Sequence, residues 1–281
     1  MDIIQNKTFD EERALYGRRN ILVRDCAFDG PADGESAFKE GAGIQVERCF
    51  FNLRYPFWHD HGLKISDSEM TELCRAALWY SDHIEIQNTK LHGIKALREC
   101  DDTTVENCDI SSPEFGWICR GMKIRDTKLV SEYPFFQSRN LEIDGLTMQG
   151  KYSFQYVENM TIRNSNLDTK DAFWHSKNVT VEDSVVKGEY LGWYCENLTL
   201  RRCRIIGTQP LCYAKGLVLE DCQMENCDLA FEYSDVQAEV KGEIESVKNP
   251  RSGHIVADSI GEIILDEHRP TETSCSIETR T

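Results

Sequence analysis

The sequence predicts an all-β fold: a parallel β-helix solenoid of about 11–12 coils, each 19 residues long. Three observations lead there. ENMTIRNSNL (from Glu158), KNVTVEDSVV (from Lys177) and ENLTLRRCRI (from Glu196) are written in one pattern and start 19 residues apart, and RNLEIDGLTM (from Arg139) precedes them by the same step. A fixed period of this size is the signature of a solenoid, in which each repeat buries its apolar face only against its neighbours. Within a repeat the apolar residues alternate, as in Met160/Ile162 and Leu198/Leu200, which is strand periodicity with no helical stretch. The residue before each alternating pair is mostly Asn or Gly, the types that tolerate left-handed backbone, so a tight bend is expected before each strand.

Taken in order, residues 1–19 read as an N-terminal cap. Thr8-Phe9-Asp10-Glu11 has the Thr-x-x-Glu spacing of a capping box and Gly17 can end a helix, so a short helix over 9–16 is expected to cover the open end of the solenoid. The β-helix proper runs over 20–234. Its bend residues are Asn20, Gly43, Gly62, His83, Asp102, Gly121, Asn140, Asn159, Asn178, Asn197 and Gly216. The step is 19 from His83 onward and 23, 19 and 21 before it, which puts insertions in the first and third coils. After the inward pair comes an Asp or Asn turn (Asp25, Asp67, Asn88), then a small inward residue (Cys26, Ser68, Thr89) and, two later, a large apolar one (Phe28, Met70, Leu91). The third side carries aromatics. Trp58, Trp79, Trp117, Trp174 and Trp193 stand four residues before the next bend, with Phe136 and Phe231 in the same column. His59, Tyr80, Tyr156, His175, Tyr194 and Tyr213 follow one residue later. Strand neighbours face opposite ways, so one of these two columns should point outward unless a bend intervenes. Past Glu225 the spacing slips: 235–267 read as a β-rich C-terminal cap and 268–281 as a loose polar tail.

Composition narrows the function. With 32 basic and 48 acidic residues the net charge is −16, which disfavours nucleic acid and anionic membrane as partners. No apolar run reaches the length of a membrane span. The N-terminus lacks the basic start and apolar core of a secretory signal. Several of the 12 cysteines fall on columns that alternate with Ser and Thr, which reads as reduced, buried small side chains. Together these favour the cytoplasm.

The Asn-apolar-x-apolar-x-Asn/Asp coil resembles the single-stranded right-handed β-helices of the pectin-lyase-like group. The opening, CAFDGPADGESAFKEG (Cys26 to Gly41) followed by RYPFWHD (Arg54 to Asp60), resembles a bacterial family of that fold with a domain of unknown function. The resemblance covers about 9–230 and implies a right-handed winding; it implies no activity. The pectate lyases and polygalacturonases of the same fold class use clustered acids and bases, but of the hydrolase motifs only Asp101-Asp102 matches, beside a bend residue.

Four groups of residues are candidates for a site. The insertion Asp29–Gly41 places Glu35 and Lys39 among further acids; insertions on one face of a solenoid often build its binding face. Calcium would suit the acids, but no calcium-loop spacing is present, and no metal or other cofactor is expected. Trp58-His59-Asp60-His61, with Arg54 and Tyr55 before it, offers His59, Asp60 and His61 for acid–base chemistry, against the plainer reading of a structural turn. A column three residues before the Trp positions, holding Tyr55, Glu114, Tyr133, Tyr152, Asp171 and Tyr190, together with His175, offers rings and carboxylates for a sugar, against the plainer reading of an exposed ladder. Glu114 and Asp171 stand three coils apart, about 14 Å by stacking, too far to act as one glycosidase pair. The cysteines form no C-x-x-C pair that would hold zinc.

The expectation is a β-helix protein that binds or processes a saccharide on its side face. Any catalysis would be that of a lyase or glycoside hydrolase acting on a poly- or oligosaccharide. The alternative is a non-enzymatic structural or protein-interaction solenoid, a reading that a homo-oligomer would suit.

Overall fold

In the computed structural model, which describes residues 1–270 and 272–280, strand and turn alternate throughout and no helix occurs among the described residues. The chain divides into two compact units, Met1–Thr147 and Met148–Thr281. Each winds as a parallel β-solenoid, with about 19 residues per turn and about 15 turns in all.

In the first unit the long strands Asp2–Gln5, Arg19–Arg24, Ala42–Glu47, His61–Ser66, Asp82–Gln87, Asp101–Glu106, Arg120–Arg125 and Arg139–Asp144 pair in parallel, each with the next. Short strands such as Ala27–Phe28, Phe50–Phe51 and Glu69–Met70 form a second wall. Phe57–Trp58, Leu78–Trp79 and Leu97–Arg98 form part of a third. In the second unit Glu158–Arg163, Lys177–Glu182, Glu196–Arg201, Leu217–Glu225 and Asp235–Lys241 continue the same plan.

The expected N-terminal helix is absent, and the reason is visible in the hydrogen bonds. Asp2–Gln5 pairs with Ile21–Arg24, and Thr8–Phe9 with Ala27–Phe28, so residues 2–9 already belong to a coil. The amides of Arg13, Leu15 and Gly17 donate to the carbonyls of Glu35, Ala37 and Lys39, at 2.9, 2.8 and 2.9 Å. Residues 13–17 are therefore the third wall of that coil. Thr8, read as a cap, lies in a strand.

The bend residues are left-handed as expected, for example Asn20 at φ 51°, His83 at 53° and Gly121 at 68°. They lie inside the long strand, as its second residue, rather than before it. The ladder skips them: Arg19 pairs with Ala42 and Ile21 with Ile44. The small column after the turn also finds its explanation. At the next bend, as at Asp25 (φ 53°) and Asp67 (φ 50°), the chain turns back on itself and brings a carbonyl within reach of the following side chain. Cys26 Sγ lies 3.2 Å from the Arg24 carbonyl, Ser68 Oγ 2.8 Å from that of Ser66, and Thr89 Oγ1 2.7 Å from that of Gln87. The position demands a small inward donor, which Cys, Ser and Thr all supply. All the cysteines are free thiols, and only Cys275 is not fully buried.

The core is filled by phenylalanine. Phe28, Phe38, Phe51, Phe57, Phe115, Phe135, Phe154, Phe173 and Phe231 are fully buried. Phe231 therefore leaves the Trp column assigned to it: Tyr233, two residues on, packs tilted against Tyr213 at 5.7 Å, which aligns Phe231 with the buried Leu211. Towards the C-terminus, Glu243–Lys248 pairs with Ser259–Ile264 within the expected β-rich segment 235–267. The tail expected at 268–281 contains the strand Ser274–Thr279, paired with Ser252–Ala257. Thr271 and Thr281, which also fall in that stretch, lie outside the described residues.

Candidate functional site

The third wall sets the geometry of the side face, because left-handed residues there turn successive side chains to different surroundings. Trp58 and Trp79 are half-buried and stack at 5.9 Å. Arg98 takes the next place in the column, its guanidinium 5.5 Å from the Trp79 ring and 5.4 Å from the Trp117 ring. The indole N–H groups of Trp117, Trp174 and Trp193 donate to the carbonyls of Tyr133, Tyr190 and Gln209, each in the following coil. Ring faces in this column are turned to neighbours, Trp58 to Trp79 in the first unit and Trp174 to Trp193, at 5.5 Å, in the second.

The column one residue later is the outward one. Its members are left-handed: His59 at 60°, Tyr80 at 54°, Tyr194 at 59°. In the second unit Tyr156, His175, Tyr194 and Tyr213 stack in a ladder, with centroids 4.9, 5.0 and 4.8 Å apart, and Tyr233 follows tilted at 5.7 Å. In the first unit His59 stacks on Tyr80 at 5.1 Å, and there the ladder stops. The next positions are Glu99, Ile118 and Gln137, all left-handed like the ring positions. They floor a groove of about 340 Å³ that is completed by Tyr80, Asp101, Arg120 and Arg139. Tyr80 and the floor residue Ile118 are 41% and 40% exposed. Glu99 is drawn aside by Arg98 at 3.3 Å and by the Trp79 indole N–H at 3.4 Å. Asp101 is held by the Nε and Nη2 of Arg120. The result is an open slot between Tyr80 and Ile118, two coils or about 9.6 Å apart, with polar groups along its edge.

The residues singled out from sequence are dispersed. His59, Asp60 and His61 do not form one cluster. His59 stacks on Tyr80; His61 is exposed, with Nδ1 2.7 Å from Asp82 Oδ2; and Asp60 is fully buried. Asp60 Oδ1 accepts from the Gly41 amide at 2.6 Å, and Oδ2 has no partner. Burial pushes the Asp60 carboxyl up to about 8, against the pull of the Gly41 amide. Asp82 is held below the usual carboxylate range: desolvation raises it, but His83 and His61, both bonded to it, outweigh that. Arg54 bridges to Asp33 at 3.2 Å and approaches Glu35 at 3.8 Å, which ties the insertion to the next coil. Lys39 lies 4.3 Å from the Trp58 ring centroid, and Tyr55 packs between Trp58 and Trp79 at 6.3 and 6.5 Å. Glu114 is paired with Lys95 at 3.3 Å and Arg98 at 3.9 Å. Tyr133 meets Trp117 edge-on.

In the second unit, Lys151 sits over Tyr152, and Tyr190 lies against Lys170 and Trp193. Both faces of His175 are covered by Tyr156 and Tyr194. Asp171 is buried, and desolvation raises its carboxyl. The column expected to be an exposed ladder is thus half-buried packing around the Trp column. A second groove, of about 710 Å³, runs along the bend lined by Asp25, Arg48, Phe50, Asp67 and Lys90. Two ion pairs lie along it, Arg48 with Asp25 at 2.8 Å and Lys90 with Glu69 at 3.5 Å. Among the described residues no group of three His, Cys, Asp or Glu side chains converges on a metal position, and no helix is long and apolar enough to cross a membrane.

Sequence reasoning missed Glu99, Asp101, Ile118, Arg120, Gln137 and Arg139. The signal was there: the ring column His59, Tyr80, Tyr156, His175 is interrupted at Glu99, Ile118 and Gln137.

Fold and site define a class: an all-β parallel solenoid with stacked side-chain ladders and a slot where a ladder lacks its rungs. The chain belongs to the family described as "Protein of unknown function (DUF3737)", whose model matches residues 2–278. No curated protein matches it. Among solved structures it is similar to a GH136 lacto-N-biosidase from Eubacterium ramulus, at 8% identity and TM-score 0.45, covering 98% of this chain and 68% of that one. It is also similar to the A-module of the mannuronan C-5 epimerase AlgE6 from Azotobacter vinelandii, at 9% identity and TM-score 0.38, covering 99% and 89%. A third is PfbA, a surface adhesin of Streptococcus pneumoniae, at 8% identity and TM-score 0.35, covering 92% and 83%. Likenesses this distant carry no argument about ligand or activity.

Proposed function

We propose that this right-handed β-helix binds a saccharide in the slot beside Tyr80, one sugar ring taking the place of the missing rung. The observation that supports the reading is the break in the ladder. Elsewhere an exposed ring at this position is covered by the next at about 5 Å, whereas Tyr80 is followed by Glu99, whose side chain is pulled away. A pyranose is about as thick as a ring plus its contact distance and can lie on an aromatic face with its hydroxyls at the edge, where Gln137, Asp101 and the two arginines stand. An apolar aromatic ligand would leave those edge groups without partners, which favours a polyhydroxylated ring. Both carboxylates of the slot are engaged by guanidinium groups, which supports binding rather than bond cleavage.

The test is a thermal-shift screen against neutral and acidic oligosaccharides, followed by titration of the hits. A ligand at a hundred times its dissociation constant stabilises the fold by about 2.7 kcal/mol, which a melt resolves. Tyr80→Ala is expected to weaken binding about tenfold or more, about 1.4 kcal/mol, with little change in Tm because Tyr80 is exposed. Hits that bind Tyr80→Ala as tightly as wild type would sink the proposal, as would a panel with no hits.

A further inference from the structure

We infer that the ring taken by the slot carries an anionic substituent, a carboxylate or a sulfate ester, held by Arg139 together with Arg120. The inference rests on the saccharide reading and adds the charge of the ligand to it. It comes from the first position of the long strands, where His61, Asp82, Asp101, Arg120 and Arg139 stand in register on successive coils. The acids in this column have basic partners. Asp82 takes His61 at 2.7 Å, and Asp101 takes both Nε and Nη2 of Arg120. Arg139 comes next, about 4.8 Å further along, and makes no ion pair among the described residues.

Asp101 balances the charge of Arg120, so of the two guanidinium groups in register it is Arg139 that has a charge to offer an anion. Arg139 lines the slot rather than open surface. Its planar fork is suited to the paired oxygens of a carboxylate or a sulfate ester. Arg120, bonded to Asp101, is fixed in place by that bond and lines the same groove. The charge pattern also sets the orientation. A ring stacked on Tyr80 would direct its charged substituent away from Glu99 and Asp101 and towards Arg139.

The experiment is a titration of wild type, Arg139→Gln and Tyr80→Ala against three probes of matched length: a neutral oligosaccharide, a uronate-bearing one and a sulfated one. Each is measured at low and at moderate salt. Expected is binding confined to one or both acidic probes, weakened tenfold or more in Arg139→Gln, and weakened by salt in wild type more than in that variant. The preferred acidic probe separates carboxylate from sulfate recognition. Arg139 is exposed, so the variant keeps its fold, and an unchanged melting temperature checks this. Neutral binding that is lost in Tyr80→Ala but unchanged in Arg139→Gln would overturn the anion assignment and leave the saccharide reading standing. Absence of binding to all three probes would overturn both.

Discussion

Asp60→Asn will be more stable than wild type at pH 8 and about equally stable at pH 4. In the folded chain Asp60 is fully buried, one carboxylate oxygen accepts from Gly41, the other has no partner, and Glu40 adds an unfavourable field. Burial raises the carboxyl to about 8, whereas in the unfolded chain it titrates near 4. Below pH 4 both states hold the proton and Asp60 costs nothing by ionisation. Between pH 4 and 8 the unfolded chain releases a proton that the folded chain retains, so stability falls as pH rises and the loss is complete above the folded value. Three pH units of this cost about 4 kcal/mol by pH 7, an upper bound because the interior relaxes. Asparagine keeps the acceptor for Gly41 and removes the titration. Urea unfolding at pH 4, 6 and 8 measures the difference; parallel pH profiles for the two proteins would show that Asp60 ionises freely in the folded state.

Phe38→Ala will destabilise the protein by about 3–5 kcal/mol, the range for emptying a buried phenylalanine site. Phe38 lies in the insertion offered from sequence as a binding face, yet it is fully buried, 5.0 Å from both the Phe28 and Phe57 rings and 6.3 Å from Phe51. The Ser36, Phe38 and Glu40 amides donate to the carbonyls of Arg54, Pro56 and Trp58. This stretch is therefore a wall of the coil, and only the bend before it is extra. Asp33→Ala, in that bend, removes one exposed ion pair and should cost less than about 1 kcal/mol. Denaturant midpoints of the two variants test the contrast; equal, small effects would return the whole insertion to the surface.

The repeat was legible because solenoid stacking writes one environment at one spacing. Cys26, Cys49, Ser68 and Thr89 share a column because each meets a carbonyl at the same bend. Features that break the repeat were harder to read. Residues 2–9 lack an alternating apolar pair, since Ile3 and Ile4 are adjacent, and the Thr8–Glu11 spacing imitates a helix cap. Phe38 is hidden among Gly, Asp and Glu. Asp60 occupies the column of Ser81, Cys100 and Cys119, so its burial was readable there, but the flanking histidines drew attention to catalysis. The slot is encoded by what its column omits, and reading it requires knowing that the column faces out, which depends on the left-handed backbone at Tyr80, Glu99 and Ile118.

If a ligand ring replaces the missing rung, a side chain that fills the slot must exclude it, and saccharide binding by Glu99→Tyr measures this. The backbone at Glu99, φ 50°, matches the tyrosine positions at 54–59°, so the new ring is accommodated and continues the stack on Tyr80. Expected is a protein at least as stable as wild type in which saccharide binding is lost, because the slot is filled from within. Undiminished binding by a folded Glu99→Tyr variant would contradict it.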